Sequence, residues 1–76
     1  QKTIIEVKAK DQPGLLFRLA KTISQLGFDI HFARIATERS IAMDTFYIEN
    51  NQAKEENRTT DLLALKEELK AIIQSS

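Results

Sequence analysis

The run Asp11-Gln12-Pro13-Gly14 separates two incompatible hydrophobic periods, and that break dictates how the first third of the chain folds. Before it, Ile5, Val7 and Ala9 alternate with Glu6, Lys8 and Lys10, which describes a strand with one wetted face; Ile4 is the apolar residue out of phase. After it, Leu15, Leu16, Leu19, Ile23 and Leu26 recur at helical spacing between Arg18, Lys21, Thr22 and Gln25, the pattern of an amphipathic helix on a core. Proline suits a first helical turn, because its missing N–H would have been unpaired there. Glycine beside it carries no Cβ, so a partner can come close to the backbone. Such a corner aims amide N–H groups outward at a helix N-terminus, a setting that favours a carboxylate or phosphate. Most such corners bind nothing, and local chemistry alone reads first as a helix start.

Gly27 stops the helix in the place glycine prefers, just past a C-terminus. From Phe28 to Thr37 the pattern describes a second strand, with Phe28, Ile30 and Phe32 in one phase and Ala33 and Ile35 in the other. Either both faces are buried or a bulge shifts the phase near Ala33. A turn at Glu38-Arg39-Ser40 leads to a third strand, Ile41 to Glu49, apolar on both faces. That composition suits a central strand, or a sheet whose open face meets a second subunit. Asn50 to Asn57 reads as a polar loop, Thr59 or Thr60 as the cap of a second helix, and Asp61 as suited to its positive end. Leu62, Leu65, Leu69, Ile72 and Ile73 form the apolar stripe of that helix.

The expected class is therefore α+β, ordered βαββα, with two helices on one face of an antiparallel sheet. The split-βαβ plan has a fourth strand beside the first, and no alternation remains after Ile73 to build it. Thr3–Ala9 would then be an exposed edge, blunted by Lys8 and Lys10, and closed by an oligomer or by sequence of a longer protein. With 76 residues there is one small domain.

Lys and Arg balance Asp and Glu at 11 each, which gives no electrostatic footprint for nucleic acid or an anionic membrane. There is no cysteine, and His31 is the single histidine, so no metal set, cofactor or Ser/His/Asp arrangement is nominated and no catalytic residue is assigned. His31 reads as a partly exposed strand residue that could tune an anion site near neutral pH. Asp44 falls in phase with Ala42, Phe46 and Ile48, and an ion pair with Arg34 or Arg39 is the expected reason it is tolerated there. Phe17 lies off the apolar stripe, where it could line a pocket or a dimer seam.

Ile5-Glu6-Val7, the corner Asp11-Gln12-Pro13-Gly14-Leu15-Leu16, the segment Leu26-Gly27-Phe28-Asp29-Ile30-His31 and the run Ala33-Arg34-Ile35-Ala36-Thr37 together resemble an ACT domain, and Asp44-Thr45-Phe46-Tyr47-Ile48 completes the match. The resemblance extends from Thr3 to about Ile73. Within the family, Ile30-His31, Ala33–Thr37 and Asp44–Tyr47 look most like the C-terminal ACT domains of bacterial bifunctional uridylyltransferase/uridylyl-removing enzymes, which act on the PII nitrogen-signalling protein. The resemblance implies a ferredoxin-like fold that binds a small ligand, often an amino acid, and signals to a catalytic domain elsewhere in a cytoplasmic parent. It also implies pairing, as a homodimer or with a neighbouring ACT domain, with ligands at the interface. On this chain the implied ligand-binding residues are Asp11, Gln12, Pro13, Gly14 and Leu15 at the corner, and Asp29, Ile30 and His31 at the second strand. The corner amides would take the α-carboxylate, Asp11 or Asp29 the ammonium group, and glutamine is the implied metabolite. The chain departs from the family in three places: Asp29 stands where asparagine is common, Glu38-Arg39-Ser40 lacks the usual glycine, and the last strand is missing.

A structural docking module without a ligand is the competing function, suggested by the two-faced strand from Ile41 to Ile48. RNA binding ranks below both, because Phe46 and Tyr47 point to opposite faces and net charge is zero.

Overall fold

The computed structural model describes residues 2–50 and 58–74. The elements run β1 (Lys2–Lys10), α1 (Leu15–Gln25), β2 (Asp29–Glu38), β3 (Ile41–Glu49) and α2 (Arg58–Gln74). The polar stretch expected as a loop lies, from residue 51 to 57, outside the described residues. Because α2 begins at Arg58, Thr59 and Thr60 sit inside its first turn instead of capping it. Asp61 is the acidic residue of that turn, and it accepts a hydrogen bond from Asn50 Nδ2 at 3.1 Å.

The three strands form one antiparallel sheet in the order β1-β3-β2. β3 is central, as its two apolar faces imply, and β1 is an edge among the described residues. Opposed pairs Ile5↔Phe46 and Thr3↔Ile48 put the odd residues of β1 and the even residues of β3 on the helix side. There Ile5, Val7, Phe46 and Ile48 meet Leu15, Leu19 and Ile23 of α1 and Leu65 and Leu69 of α2 in a single core. At about 25 cal/mol per Å² of apolar surface removed from water, these side chains supply the main drive to fold.

β2 changes phase at His31, where the ladder slips between Ile30 and Phe32. One extra residue at a bulge turns every later side chain to the other face. Ile30 therefore points toward the helices opposite Ile48, whereas Phe32 lies on the open face opposite Tyr47. The phase shift expected near Ala33 thus falls two residues earlier, and it separates Phe32 from Phe28 and Ile30. Ala33 and Ile35 face the helix side, opposite Phe46 and Asp44, yet Ile35 is 55 % exposed because the helices do not cover that far edge.

Two tight turns are backbone-driven. α1 ends with Gly27 at φ 90°, its N–H donating to Ser24 O and that of Phe28 to Ile23 O at 3.1 and 3.2 Å, the paired bonds of a Schellman cap. Between β2 and β3, Arg39 and Ser40 take φ 52° and 69°. Two positive φ values in a two-residue hairpin are those of a type I′ turn, which favours Asn-Gly. L-residues with side chains pay about 1 kcal/mol each for that conformation. The double substitution Arg39→Asn/Ser40→Gly is expected to raise stability by roughly 1 kcal/mol, read as an upward shift in the midpoint of urea denaturation with an unchanged slope.

Candidate functional site

The corner between β1 and α1 is a type II β-turn. Leu15 N–H donates to Gln12 O at 3.1 Å, and Gly14, at the third position, has φ 77° and ψ 1°. Pro13 therefore precedes the helix in the turn, two residues before its first helical position. Glycine is required by the left-handed backbone rather than by a close neighbour, since a Cβ built on it would meet nothing within 4 Å. The space above Gly14 is open.

Helix α1 has no side-chain cap. Its Leu15 amide is occupied by Gln12, and Arg18 N–H reaches Gly14 O at 3.0 Å. Among the described residues, the amides of Leu16 and Phe17 have no acceptor. Those two N–H groups carry the positive end of the helix dipole, and they are what an anionic group would meet. Leu15 itself points into the core and presents only backbone. Phe17 is 69 % exposed beside this end, with Lys21 Nζ 6.0 Å from its ring centre. On the other flank, Asp11 N–H donates to Ser40 O at 2.7 Å, which ties the corner to the strained hairpin turn.

Asp44 lies beneath this region on the helix side of β3, 2 % exposed, and its Oδ1 has no hydrogen-bond partner among the described residues. The expected ion pair is not formed. Arg34 opposes Thr45 on the open face and Arg39 sits in the hairpin turn, so neither approaches Asp44 from the side on which its carboxylate is buried. Burial, and then the negative charge of Asp11, push the Asp44 carboxyl above its ordinary value.

Asp29, Ile30 and His31 stand at the opposite end of the sheet. Asp29 opposes Glu49 at the last residue of β3, whereas Lys10, next to the corner, opposes Ile41 at its first. At about 3.4 Å per residue the two groups are roughly 25 Å apart. Within one protomer the structure does not bring the corner and Asp29–His31 together. At that far end the bulge residue His31 uses Nε2 to meet Glu49 Oε1 at 2.8 Å, and this bond holds the Glu49 carboxyl below its usual range. Phe32 and Tyr47 share the open face edge to face, ring centres 5.5 Å apart. Sequence reading missed this aromatic pair, because only the register slip reveals that Phe32 lies beside Tyr47. No cluster of His, Cys, Asp and Glu suited to a metal occurs among the described residues. No helix among them is long and apolar enough to cross a membrane.

The order βαββα and the β1-β3-β2 antiparallel sheet under two helices define a ferredoxin-like α+β unit. The ACT domain profile matches residues 3–74, and the chain belongs to the ACT domain family. Curated relatives share one name, bifunctional uridylyltransferase/uridylyl-removing enzyme. The chain is 34 % identical to that of Caulobacter vibrioides (strain NA1000 / CB15N) over 74 residues, 97 % of this chain and 8 % of the relative. It is 37 % identical to that of Bradyrhizobium sp. (strain ORS 278) over 73 residues, 96 % of this chain and 8 % of the relative. The match to the Novosphingobium aromaticivorans enzyme is 48 % over 46 residues, 60 % of this chain and 5 % of the relative. The chain thus spans less than a tenth of the length of these enzymes.

A carboxyl whose folded-state pKa is raised destabilises the fold when ionised. Stability is then greatest below the ordinary value of 3.8 and falls as pH rises through the raised value. Urea denaturation of Asp44→Asn is expected to match the wild type in acid and to exceed it at pH 7, because the variant lacks that fall.

Proposed function

We propose that this chain is the regulatory, amino-acid-sensing ACT domain of a cytoplasmic uridylyltransferase/uridylyl-removing enzyme acting on PII, with glutamine as its ligand. The observation that carries this reading is the open type II corner, where Leu16 and Phe17 offer two amides without a protein acceptor above an uncovered Gly14. A free amino acid is a zwitterion. Its carboxylate suits those amides, and its ammonium suits Asp11, whose backbone is fixed by Ser40. Leu15 contributes its position in the turn rather than a contact, and Gln12 and Pro13 set the turn's shape.

Because Asp29, Ile30 and His31 lie at the other end of the sheet, a ligand touching both groups bridges two ACT domains. Antiparallel apposition of two β2 edges, from a homodimer or a neighbouring ACT domain, sets the end of one β2 against the start of the other. Asp29–His31 of one domain then comes near the corner of its neighbour. Uncovered Ile35 on that edge supports the same apposition. Ligand binding would thereby alter how two domains sit, and so reach a catalytic domain elsewhere in the parent.

A docking module with no ligand is the second reading, favoured by the exposed apolar residues on the sheet's open face. Titration calorimetry with glutamine separates the two. Sensing predicts saturable heat that weakens roughly tenfold or more in Asp11→Asn and in Gly14→Ala, the loss of one charge-assisted contact or of the turn geometry. Absence of heat with glutamine and every other amino acid, from a folded and assembled protein, would leave docking as the function.

A further inference from the structure

The face of the sheet turned away from the helices is apolar along one row and charged along the others. Ile4, Tyr47 and Phe32 stand side by side across β1, β3 and β2, with Ile4 62 % and Phe32 57 % exposed. The next row reads Glu6, Thr45, Arg34, and lies at the middle of β1. Glu6 and Arg34 are two strand spacings apart, about 9.6 Å, with Thr45 between them. Neither has an ion-pair partner among the described residues. Two rows on, Lys10 and Glu38 flank Ile41, again with opposite signs at the two edges.

Apart from the row Lys8–Met43–Ala36, charged at one edge only, these charged rows carry opposite signs across β3, and such antisymmetry is what an isologous contact needs. A two-fold axis running along β3, between two sheets packed face to face, lays β1 of one copy over β2 of the other. Glu6 then meets Arg34 of the second copy, twice. Ile4 meets Phe32 of the second copy, Tyr47 and Met43 meet their own images, and Lys10 comes opposite Glu38 of the second copy. Rotating the axis by ninety degrees within the face would instead set Glu6 on Glu6. Aligned sheets cross at about 30°, which moves the central row little because it lies close to the axis. At the far row, the hydrogen bond from His31 already answers the charge of Glu49. Strand rise and spacing make the face about 30 by 14 Å. Two such faces bury on the order of 1,000 Å², the lower bound of a specific interface.

We infer that the open face binds a second copy of this chain, face to face about a two-fold axis along β3, with Glu6–Arg34 pairs fixing the orientation. The inference does not depend on the ligand reading, since Glu6 lies away from the corner and from the β2 edge. Sedimentation equilibrium is the test, with Glu6→Arg, Arg34→Glu and the double charge swap compared with the wild type. Both substituted positions are exposed, and circular dichroism checks the fold of each variant. The wild type is expected to dimerise, each single variant to weaken the dimer about tenfold or more by setting like charges together, and the double swap to recover most of the loss. Three results overturn it: a wild type monomeric at every concentration tested, a dimer indifferent to Glu6→Arg, or singles whose losses add in the double variant. Glu6→Arg indifference would move the contact to the β2 edge. Saturable binding of a single-stranded RNA oligonucleotide, lost in Tyr47→Ala while the single charge variants keep the wild-type assembly state, would assign the face to stacked bases instead.

Discussion

Every element of this domain is registered against β3. It pairs with β1 on one side and β2 on the other, and its even residues supply Ala42, Phe46 and Ile48 to the layer beneath the helices. A sheet covered on one face only buries alternate residues wherever the helices lie, and burial alternates along β1 and β3. Where helical cover ends, over the outer half of β2, alternation ceases to separate buried from exposed residues. One side of the sheet is thus a core, and the other carries the large apolar side chains of Ile4, Phe32 and Tyr47 into water.

The corner inherits its geometry from that frame. Its type II turn hangs between the last residue of β1 and the first of α1, and the 2.7 Å contact from Asp11 N–H to Ser40 O ties it to the hairpin turn. That acceptor belongs to the hairpin turn in which two residues with side chains hold positive φ. A pull on Asp11 would therefore be felt in a turn where two residues hold positive φ, and through it at the start of β3.

Much of this was legible in the residues. The order βαββα, the amphipathic stripes, the edge position of β1 and the central position of β3 all follow from period and composition, except that Leu26, on the α1 stripe by its spacing, caps the helix and is exposed. The C-terminal glycine of α1 did too. What could not be read was set by long-range register. The bulge at His31 hides because apolar residues stand on both sides of the slip, so Phe32 continues the phase of Ile30 in sequence while crossing to the other face in space. Pro13 lies two positions before the helix instead of in its first turn, since a type II turn and a proline-started helix share the same residues. The arginine partner that the sequence suggests for Asp44 fails because sequence shows which charges exist, not which side of a sheet each one faces. The eight implied ligand residues divide between two ends of the sheet for a similar reason: only the strand order tells which end each lies on.

The exposure of β2 bears on how freely its sequence can change. From residue 33 to 38 every side chain is open to water in the protomer, on both faces of the strand. Substitutions there remove little buried area, so the stability of a lone domain places almost no limit on them. Beyond what its backbone pairing with β3 demands, restraint on mutation in this strand is consequently a record of its associations. A complete substitution profile of these six positions, scored separately for folding and for function, would map the surfaces where the domain meets something else.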